Sequence, residues 1–445
     1  MNKWIPGLDQ LTGKAGEWRN WGRTASAFPA YVSRPSTIEA VVTTVERARE
    51  RGGTVKALGA GHSFTAISAP RDVALAPDHQ GGLVTVDVEA KRVTLRAGTR
   101  LYDVPPLLEP YGLAMRNLGD IDKQTLAGAI STGTHGTGLS FGGIATQVVG
   151  ATLVSGTGEV ITVGEDDPRL QAVALGLGAL GILVEVTLQC VDRFVLEATE
   201  APMSLAETVD GFVERVRGVD HFEFFWFPGS DGTLTKSQIR RPGDHARKPI
   251  GAVQRFLDDK VVGTGALLAV CEAGRAIPSL TPRLVSLATS MLSEHTEIDY
   301  STNVLTTDRA VRFRETEWAV PLENTMPAFA ALKAATEAHD WNLTFPIEVR
   351  VAAADDLMLS TASGRQTGYI AAHRYIRDKP SDYFAEVERI MIDHGGRPHW
   401  GKMHTRTADF FRGAYPRFDE FLAVREQLDP DRVFANDYLD AVLGR

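Results

Sequence analysis

The chain has 445 residues, of which 43% are hydrophobic, and its 47 basic and 56 acidic side chains give a formal net charge of −9. The length suffices for one large or two to three ordinary domains, and the acidic balance argues against a nucleic-acid-binding protein. Only two cysteines, Cys190 and Cys271, are present, which argues against a disulfide framework. Because the first residues lack the apolar segment of a signal peptide, we expect a cytoplasmic protein.

The first third of the chain alternates helix and strand signals. A capping box at Ser36–Glu39 predicts a helix that ends at Gly52 and Gly53. Alternating apolar and polar residues then predict strands and hairpins. These are TVKAL (54–58), LVTVDV (83–88) with RVTLRAG (92–98), and TLVSGTGEVITV (152–163).

After about residue 190, aromatic and β-branched runs predict a second, antiparallel sheet. The runs are HFEFFWF (221–227), NLTFPIEVRVAAAD (342–355) and GYIAAHRYI (368–376), with helices expected around 249–292 and 322–340. The most apolar stretch, 261–270, is about half the ~20 residues that span a bilayer. It predicts a core helix, with docking on a membrane surface as the alternative. Residues 381–404 predict an amphipathic helix, a glycine stop and a polar loop.

Three glycine-rich segments are candidates for ligand contact. GLGALG (176–181) has the dinucleotide spacing, but a helical pattern precedes it and a strand pattern follows, the reverse of a Rossmann motif. We interpret it as a glycine turn against a cofactor, or as a plain tight turn. AGAISTGTHGTG (127–138) and GAGHSF (59–64) combine small residues with hydroxyls, which lets a loop approach a pyrophosphate or a flat ring closely. A glycine-rich surface loop is the alternative.

His62 follows the glycines of GAGHSF directly. It is a turn histidine, a general base, a metal ligand or a covalent anchor. The spacing of five between His394, His399 and His404 does not place them on one helical face, so no metal site is predicted.

Charged residues also interrupt apolar segments nearer the C-terminus. In the strand FPIEVRV (345–351), Glu348 and Arg350 point to the same face, where burial is costly unless they form an ion pair or bind a polar ligand. Such a pair suits a polyhydroxylated substrate. Lys402, in RPHWGKMH (397–404), is either a solvated lysine or a cation placed where negative charge develops.

The order LGAGHSF, STGTHGTG, an E-V-R strand, GGRPHWGK and a closing LDP…F-N-x-Y-L resembles the aldonolactone oxidoreductases of the vanillyl-alcohol-oxidase flavoprotein superfamily, such as the L-gulonolactone and D-arabinonolactone oxidases. The resemblance runs from about residue 15 to the C-terminus. It implies an α+β, two-domain fold in which a PCMH-type FAD-binding domain (1–190) and a C-terminal segment returning to it (396–445) flank a cap domain with a large antiparallel sheet (191–395).

The resemblance also implies the cofactor and the residues around it. FAD is the expected cofactor, attached covalently through His62, the residue at the position of the flavin-linked histidine. The cofactor-binding residues implied are Leu58, Gly59, Ala60, Gly61, His62, Ser63, Phe64, Gly128, Ser131, Thr132, Gly133, Thr134, His135, Gly136, Gly138, Gly181 and Ile182.

For the chemistry, the resemblance implies hydride transfer from a hydroxyl-bearing carbon to flavin N5, with oxygen or another acceptor reoxidising the flavin. Glu348, Arg350 and Lys402 are implied as catalytic residues, and Ala129, His373 and Tyr375 as substrate contacts. Ala129 replaces a serine of the alditol oxidases, which favours a sugar lactone over an open-chain polyol such as xylitol or sorbitol. An alditol oxidase is the alternative enzyme, and a flavin-binding scaffold without catalysis is the alternative of another class. The catalytic base and the oligomeric state are left open.

Overall fold

The computed structural model describes residues 16–76, 81–251, 264–290, 292–307 and 311–445. Its strands are β1 (Trp18–Arg19), β2 (Ser26–Ala27), β3 (Tyr31–Ser33), β4 (Val55–Ala57), β5 (Val73–Leu75), β6 (Leu83–Asp87), β7 (Arg92–Arg96), β8 (Leu113–Ala114), β9 (Val148–Val154), β10 (Val160–Gly164), β11 (Ile182–Gln189), β12 (Val191–Asp192), β13 (Phe194–Ser204), β14 (His221–Trp226), β15 (Gly232–Pro242), β16 (His295–Tyr300), β17 (Phe313–Pro321), β18 (Ile347–Ala352), β19 (Thr367–Tyr375) and β20 (Arg397–Pro398).

The helices divide into groups that accompany different sheets. They are α1 (Ile38–Glu50), α2 (Val104–Leu108), α3 (Leu126–Thr132), α4 (Leu170–Val173), α5 (Leu205–Asp210), α6 (Phe212–Gly218), α7 (Leu267–Ala276), α8 (Thr281–Ser290), α9 (Ser301–Leu305), α10 (Thr325–Ala338), α11 (Tyr383–Asp393), α12 (Ala408–Ala414), α13 (Phe418–Leu428) and α14 (Asp437–Leu443).

The N-terminal part is built on two sheets. A parallel sheet of order β3-β5-β4 carries α1, and an antiparallel sheet of order β10-β9-β11-β7-β6 contains both predicted hairpins. The predicted helix forms, but its N-cap is Thr37, whose side chain accepts from Ala40 N, and not Ser36. The hydroxyl one residue later satisfies the free amide, which shifts the start of the helix by one position.

The C-terminal part is an eight-stranded sheet of order β16-β13-β15-β14-β18-β19-β17-β20, in which every pairing is antiparallel. Strands β14, β18 and β19 confirm the three predicted runs. One face is apolar and packs against α5, α6, α10 and α11. Because side chains alternate along a strand, the opposite face receives the charged residues of the same strands.

The last residues pack with the N-terminal part. Phe411, Phe421 and Leu439 share one core with α3 and the five-stranded sheet. Asn436 caps α14 and donates to the carbonyls of Ala66, Ile67 and Ala69, just after the GAGHSF turn.

These elements confirm the α+β class and the large antiparallel sheet. The domain boundaries at 190 and 395 stay a prediction. Of the apolar stretch 261–270, the first three residues lie outside the described ranges, and the rest leads into α7, where Cys271 is fully buried. None of the described helices has the length and apolarity needed to cross a bilayer.

Candidate active site

A cleft of about 910 Å³ opens between the GAGHSF turn, α3 and the GLGALG turn. Its walls are glycines, alanines, hydroxyl side chains and a few larger residues, and no aspartate or glutamate is among the described residues that line it. A cleft of this size lined by backbone amides and small side chains can hold a long anionic cofactor. The only lysine in the lining is Lys56, which sequence reasoning missed.

Lys56 lies on β4, immediately before the turn. Its ammonium donates to the carbonyls of Gly178 (2.9 Å) and Phe434 (3.2 Å), joining the GLGALG turn to the C-terminal segment. Burial, helped by Arg425, lowers the pKa of Lys56 to about 7. A lysine without a carboxylate in hydrogen-bond contact, at the wall of a cleft, would gain from a nearby phosphate.

The GAGHSF turn forms one wall of the cleft. Residues 58–63 line it, as predicted from sequence, and Gly61 adopts a left-handed φ of +68°. His62 is half-buried, lines the cleft and stacks on Trp21, with ring centroids 5.7 Å apart. Phe64, also predicted to contact the cofactor, packs away from the cleft in an aromatic cluster with Phe313.

The predicted glycine loop 127–138 is in part a helix, which corrects the expectation of a loop. Thr125 caps α3 by accepting from Gly128 N, and Gly133 ends it at φ +78°. Gly128, Ser131 and Thr132 line the cleft. Helix formation is favoured here because the cap and the left-handed glycine satisfy both ends of a short apolar segment.

The rest of this segment does not reach the cleft. The structure does not place Gly133, Thr134, His135, Gly136 or Gly138 in its lining. A Cβ at Gly136 would lie 2.2 Å from the Leu118 carbonyl oxygen, and one at Gly138 would lie 2.4 Å from the Asp220 carbonyl oxygen. Close backbone packing therefore accounts for these two glycines.

Ala129, expected to touch substrate, is fully buried in the core of the N-terminal part and is absent from the cleft lining. GLGALG is a turn between α4 and β11, the order predicted against a Rossmann motif. Gly178, Gly181 and Ile182 line the cleft. A Cβ at Gly181 would lie 2.6 Å from Leu153 Cδ1, so this glycine permits the close approach of β9.

The charged face of the eight-stranded sheet begins with Arg350. Its guanidinium forms ion pairs with Glu348 on the same strand and with Glu223 on β14 (Nε to Oε2, 2.7 Å). All three side chains are about nine-tenths buried. Burial opposes charging, but the two carboxylates outweigh it and hold the pKa of Arg350 well above its ordinary value. The same-face placement predicted for Glu348 and Arg350 is therefore present, with Glu223 as an additional partner.

Lys402 meets a second pair of carboxylates on β17. Its ammonium lies 2.5 Å from Glu315 Oε2 and 3.9 Å from Glu317 Oε2. Burial would raise the pKa of Glu315, but Lys402 and His373 lower it to about 2. Burial would lower the pKa of Lys402, which the two glutamates instead raise. Lys402 is thus a buried, paired cation, and the segment 397–400, expected to be a polar loop, is buried around it.

Histidines complete this charged cluster. His373 Nδ1 donates to the Pro346 carbonyl (3.0 Å), and its Nε2 lies 3.6 Å from Glu315 Oε1. His135 Nδ1 donates to the Gly136 carbonyl (2.9 Å), and its Nε2 lies 3.4 Å from Glu317 Oε1. Tyr375, the other predicted substrate contact, instead donates to Glu272 on α7 and does not join the cluster.

His135, Glu317 and His399 lie close enough together to hold a metal ion. His399 Nδ1 accepts from Gly401 N (3.0 Å), so its Nε2 carries the proton and donates to the Gly133 carbonyl (3.2 Å). Burial lowers the pKa of His399 to about 4, so this ring is neutral at pH 7. Both ring nitrogens of His399 are thus engaged, and Lys402 already supplies a positive charge beside Glu317.

The cleft and the charged cluster are joined directly. Phe64 N donates to the Gly401 carbonyl (2.6 Å), and Thr65 Oγ1 donates to the Trp400 carbonyl (3.1 Å). The turn that carries His62 is therefore fixed to the loop that carries Lys402.

Sequence reasoning missed Glu223, Glu315 and Glu317. The signal was available in part, because FRETEW (313–318) alternates charged and apolar residues just as EVRV does.

Comparisons with known proteins identify relatives over the whole chain. The D-arabinono-1,4-lactone oxidase family profile matches residues 186–442, and a FAD binding domain profile matches residues 29–164. An L-gulono-1,4-lactone dehydrogenase of Mycobacterium tuberculosis is 41% identical over 96% of this chain and 99% of its own. An L-gulonolactone oxidase of Bos taurus is 34% identical over 96% and 98%. Among solved structures, a solvent-stable cholesterol oxidase superposes with a TM-score of 0.81 at 19% identity, covering 97% of each chain, which establishes a shared fold.

Proposed function

Because the chain belongs to the aldonolactone oxidoreductase family, whose D-arabinono-1,4-lactone oxidase profile it matches, we propose that it oxidises a sugar-derived 1,4-lactone such as L-gulono-1,4-lactone. It is a FAD-dependent oxidoreductase acting on CH–OH donors. The observation that carries the substrate proposal is the buried charged face on which Arg350 lies between two carboxylates, next to the cleft. The alternative of an alditol oxidase is not favoured, since the relatives are named for lactones.

The residues of the cleft fit FAD. Its lining offers backbone amides, hydroxyls and Lys56 to a pyrophosphate, without an acidic side chain among the described lining residues. Residues 58–63, Gly128, Ser131, Thr132, Gly181 and Ile182 would hold it, and His62 would form the covalent bond. When bound, FAD supplies the two-electron step by accepting a hydride at N5.

The charged cluster would orient the lactone. Arg350, fixed by Glu348 and Glu223, would donate to ring or hydroxyl oxygens, and Glu348 would accept from a hydroxyl. Lys402, with its raised pKa, would stay protonated and stabilise negative charge as the hydroxyl proton leaves. We assign the removal of that proton to His373 Nε2, because Glu315 would stabilise the resulting imidazolium.

The assay is anaerobic bleaching of the flavin absorption band by L-gulono-1,4-lactone, with xylitol as the comparison. We expect bleaching by the lactone and little by the polyol. Bleaching by xylitol alone would restore the alditol oxidase, and no bleaching by any aldonolactone or polyol would contradict the proposed activity. Hydrogen peroxide formation against reduction of a dye or cytochrome then identifies the acceptor.

Covalent attachment has its own test. Acid-precipitated wild-type protein should be yellow, and His62→Ala protein should release its flavin into the supernatant. A colourless wild-type precipitate would contradict the attachment while leaving the lactone assay unaffected.

A further inference from the structure

Residues 18–25, WRNWGRTA, lie against the GAGHSF turn, and we call them the N-terminal clasp. The clasp is internally fixed, because β1 pairs with β2 and Asn20 Oδ1 accepts from the amides of Thr24 and Ala25. It then fixes three carbonyls of the turn. These bonds are Trp21 N to Gly61 O (2.8 Å), Asn20 Nδ2 to Ser63 O (2.9 Å) and Thr24 Oγ1 to Phe64 O (2.6 Å).

The clasp also contacts the side chain of His62. The indole of Trp21 stacks on the imidazole at an interplanar angle of 24°. That indole is itself fixed edge-on by Phe64 (6.1 Å between centroids) and Phe313 (5.1 Å). One face of the His62 ring is therefore covered by an immobilised aromatic side chain, while the residue also lines the cleft.

We propose that Trp21 is a positioning residue for the covalent attachment of FAD, holding the His62 imidazole so that a ring nitrogen is presented to the flavin. The inference rests on the proposed attachment through His62. In that reaction the methyl C–H and the imidazole N–H break and a nitrogen–carbon bond forms. Both hydrogens, with their two electrons, remain on the reduced flavin until dioxygen takes them as hydrogen peroxide.

The expected effect follows from orientation. Without the stack, the imidazole can rotate into the space that the indole leaves, and bond formation waits for the productive orientation. Misplacing a reacting group by about 1 Å can cost roughly 10²-fold in rate. We therefore expect attachment in Trp21→Ala to be slower by about tenfold or more, with FAD still bound.

The experiment adds FAD to full-length protein purified without flavin and follows acid-precipitable flavin with time. Trp21→Phe keeps an aromatic face and should retain most of the wild-type rate. Trp21→Leu keeps bulk without an aromatic face, should be slow, and serves if Trp21→Ala does not fold. Trp18→Ala is the matched control: it removes a tryptophan from the same clasp, buried beside Leu58 and Ala74, and should lower stability without slowing attachment. FAD binding is measured in parallel by fluorescence quenching.

Slow attachment in the alanine and leucine variants, with rescue by phenylalanine, supports the proposal. A wild-type rate in both variants would overturn it, as would equal slowing in Trp18→Ala at the same folded fraction. If wild-type protein forms no covalent flavin, this inference falls together with the His62 attachment, whereas bleaching by the lactone still stands or falls independently.

Discussion

The cleft at the GAGHSF turn and the charged face of the eight-stranded sheet are adjacent, yet they are built from different materials. The cleft consists of backbone, glycines and hydroxyls, with Lys56 and His62 as its basic side chains. The sheet face carries buried glutamates, Arg350, Lys402 and histidines in ion pairs. A cofactor that is always the same can be recognised by shape and amides, whereas hydroxyl recognition and charge stabilisation need side chains at fixed distances. The two regions should therefore respond differently to mutation.

The largest effect is expected from Arg350→Ala, which leaves Glu348 and Glu223 buried without their guanidinium. We expect kcat/KM for the lactone to fall by about 10³-fold, with FAD content unchanged. The measurement is steady-state dye reduction together with the flavin-to-protein absorbance ratio. Arg241→Ala is the control, since it breaks a half-exposed pair with Glu197 on β15. Loss of FAD from the Arg350 variant would mean that the two regions are not separable.

Two glycines of the same motif should separate cofactor binding from packing. Gly128→Val places a side chain at the cleft wall, where Thr125 Oγ1 is 3.0 Å from the new Cβ, and should weaken FAD binding by about 10²-fold in a folded protein. Gly136→Ala forces a Cβ to 2.2 Å from the Leu118 carbonyl oxygen and should destabilise the fold by roughly 3 kcal/mol or more. FAD titration and thermal unfolding of the apoproteins distinguish them. Equal loss of stability in both would remove the distinction.

Glu223→Gln tests how far the sheet face acts as one unit. The amide keeps a hydrogen-bond acceptor for Arg350 Nε but loses the charge, while Glu348 remains. We expect kcat/KM to fall by about tenfold, well short of the effect of Arg350→Ala. A loss as large as that of Arg350→Ala would assign Glu223 a direct role at the substrate.

The smallest effect concerns acid stability near the junction of the two regions. His404 Nδ1 accepts from Arg406 N and Nε2 donates to the Tyr438 hydroxyl (2.8 Å), so the folded ring is neutral. Burial, with Arg406, lowers the pKa of His404 from 6.5 to about 3. The unfolded chain therefore binds a proton that the folded chain does not, and stability is lost as pH falls from about 6.5 towards 3.

Replacing His404 by Gln keeps a donor for Tyr438 and removes the titration. The stability difference between pH 7 and pH 4 should shrink by no more than about 3 kcal/mol, since each pKa unit corresponds to ~1.4 kcal/mol. Urea unfolding at the two pH values measures it, and the exposed His245→Gln is the control. An unchanged pH dependence in His404→Gln would contradict the assignment.

Much of the fold could be predicted because it depends on local periodicity. Alternation in residues 83–98 and 152–163 predicted both hairpins, and alternation in EVRV predicted that Glu348 and Arg350 share a face. The GAGHSF turn was recognisable because its glycines and histidine are contiguous. The helix at Leu126–Thr132 was mistaken for a loop because its glycine content outweighed its cap and its left-handed end.

The sequence by itself determined the fold class, the family and the residues of the cofactor turn, since each is encoded over a few neighbouring positions. Only the tertiary structure decided the partners of the charged residues. Phe224 pairs with Val349, which brings Glu223 opposite Arg350, and Glu315 pairs directly with His373. These neighbours are set by the register of strands far apart in the chain, and a register is fixed by the packing of a whole sheet face. The contact of Trp21 with His62 is of the same kind: two short segments, each unremarkable alone, meet because the fold brings them together.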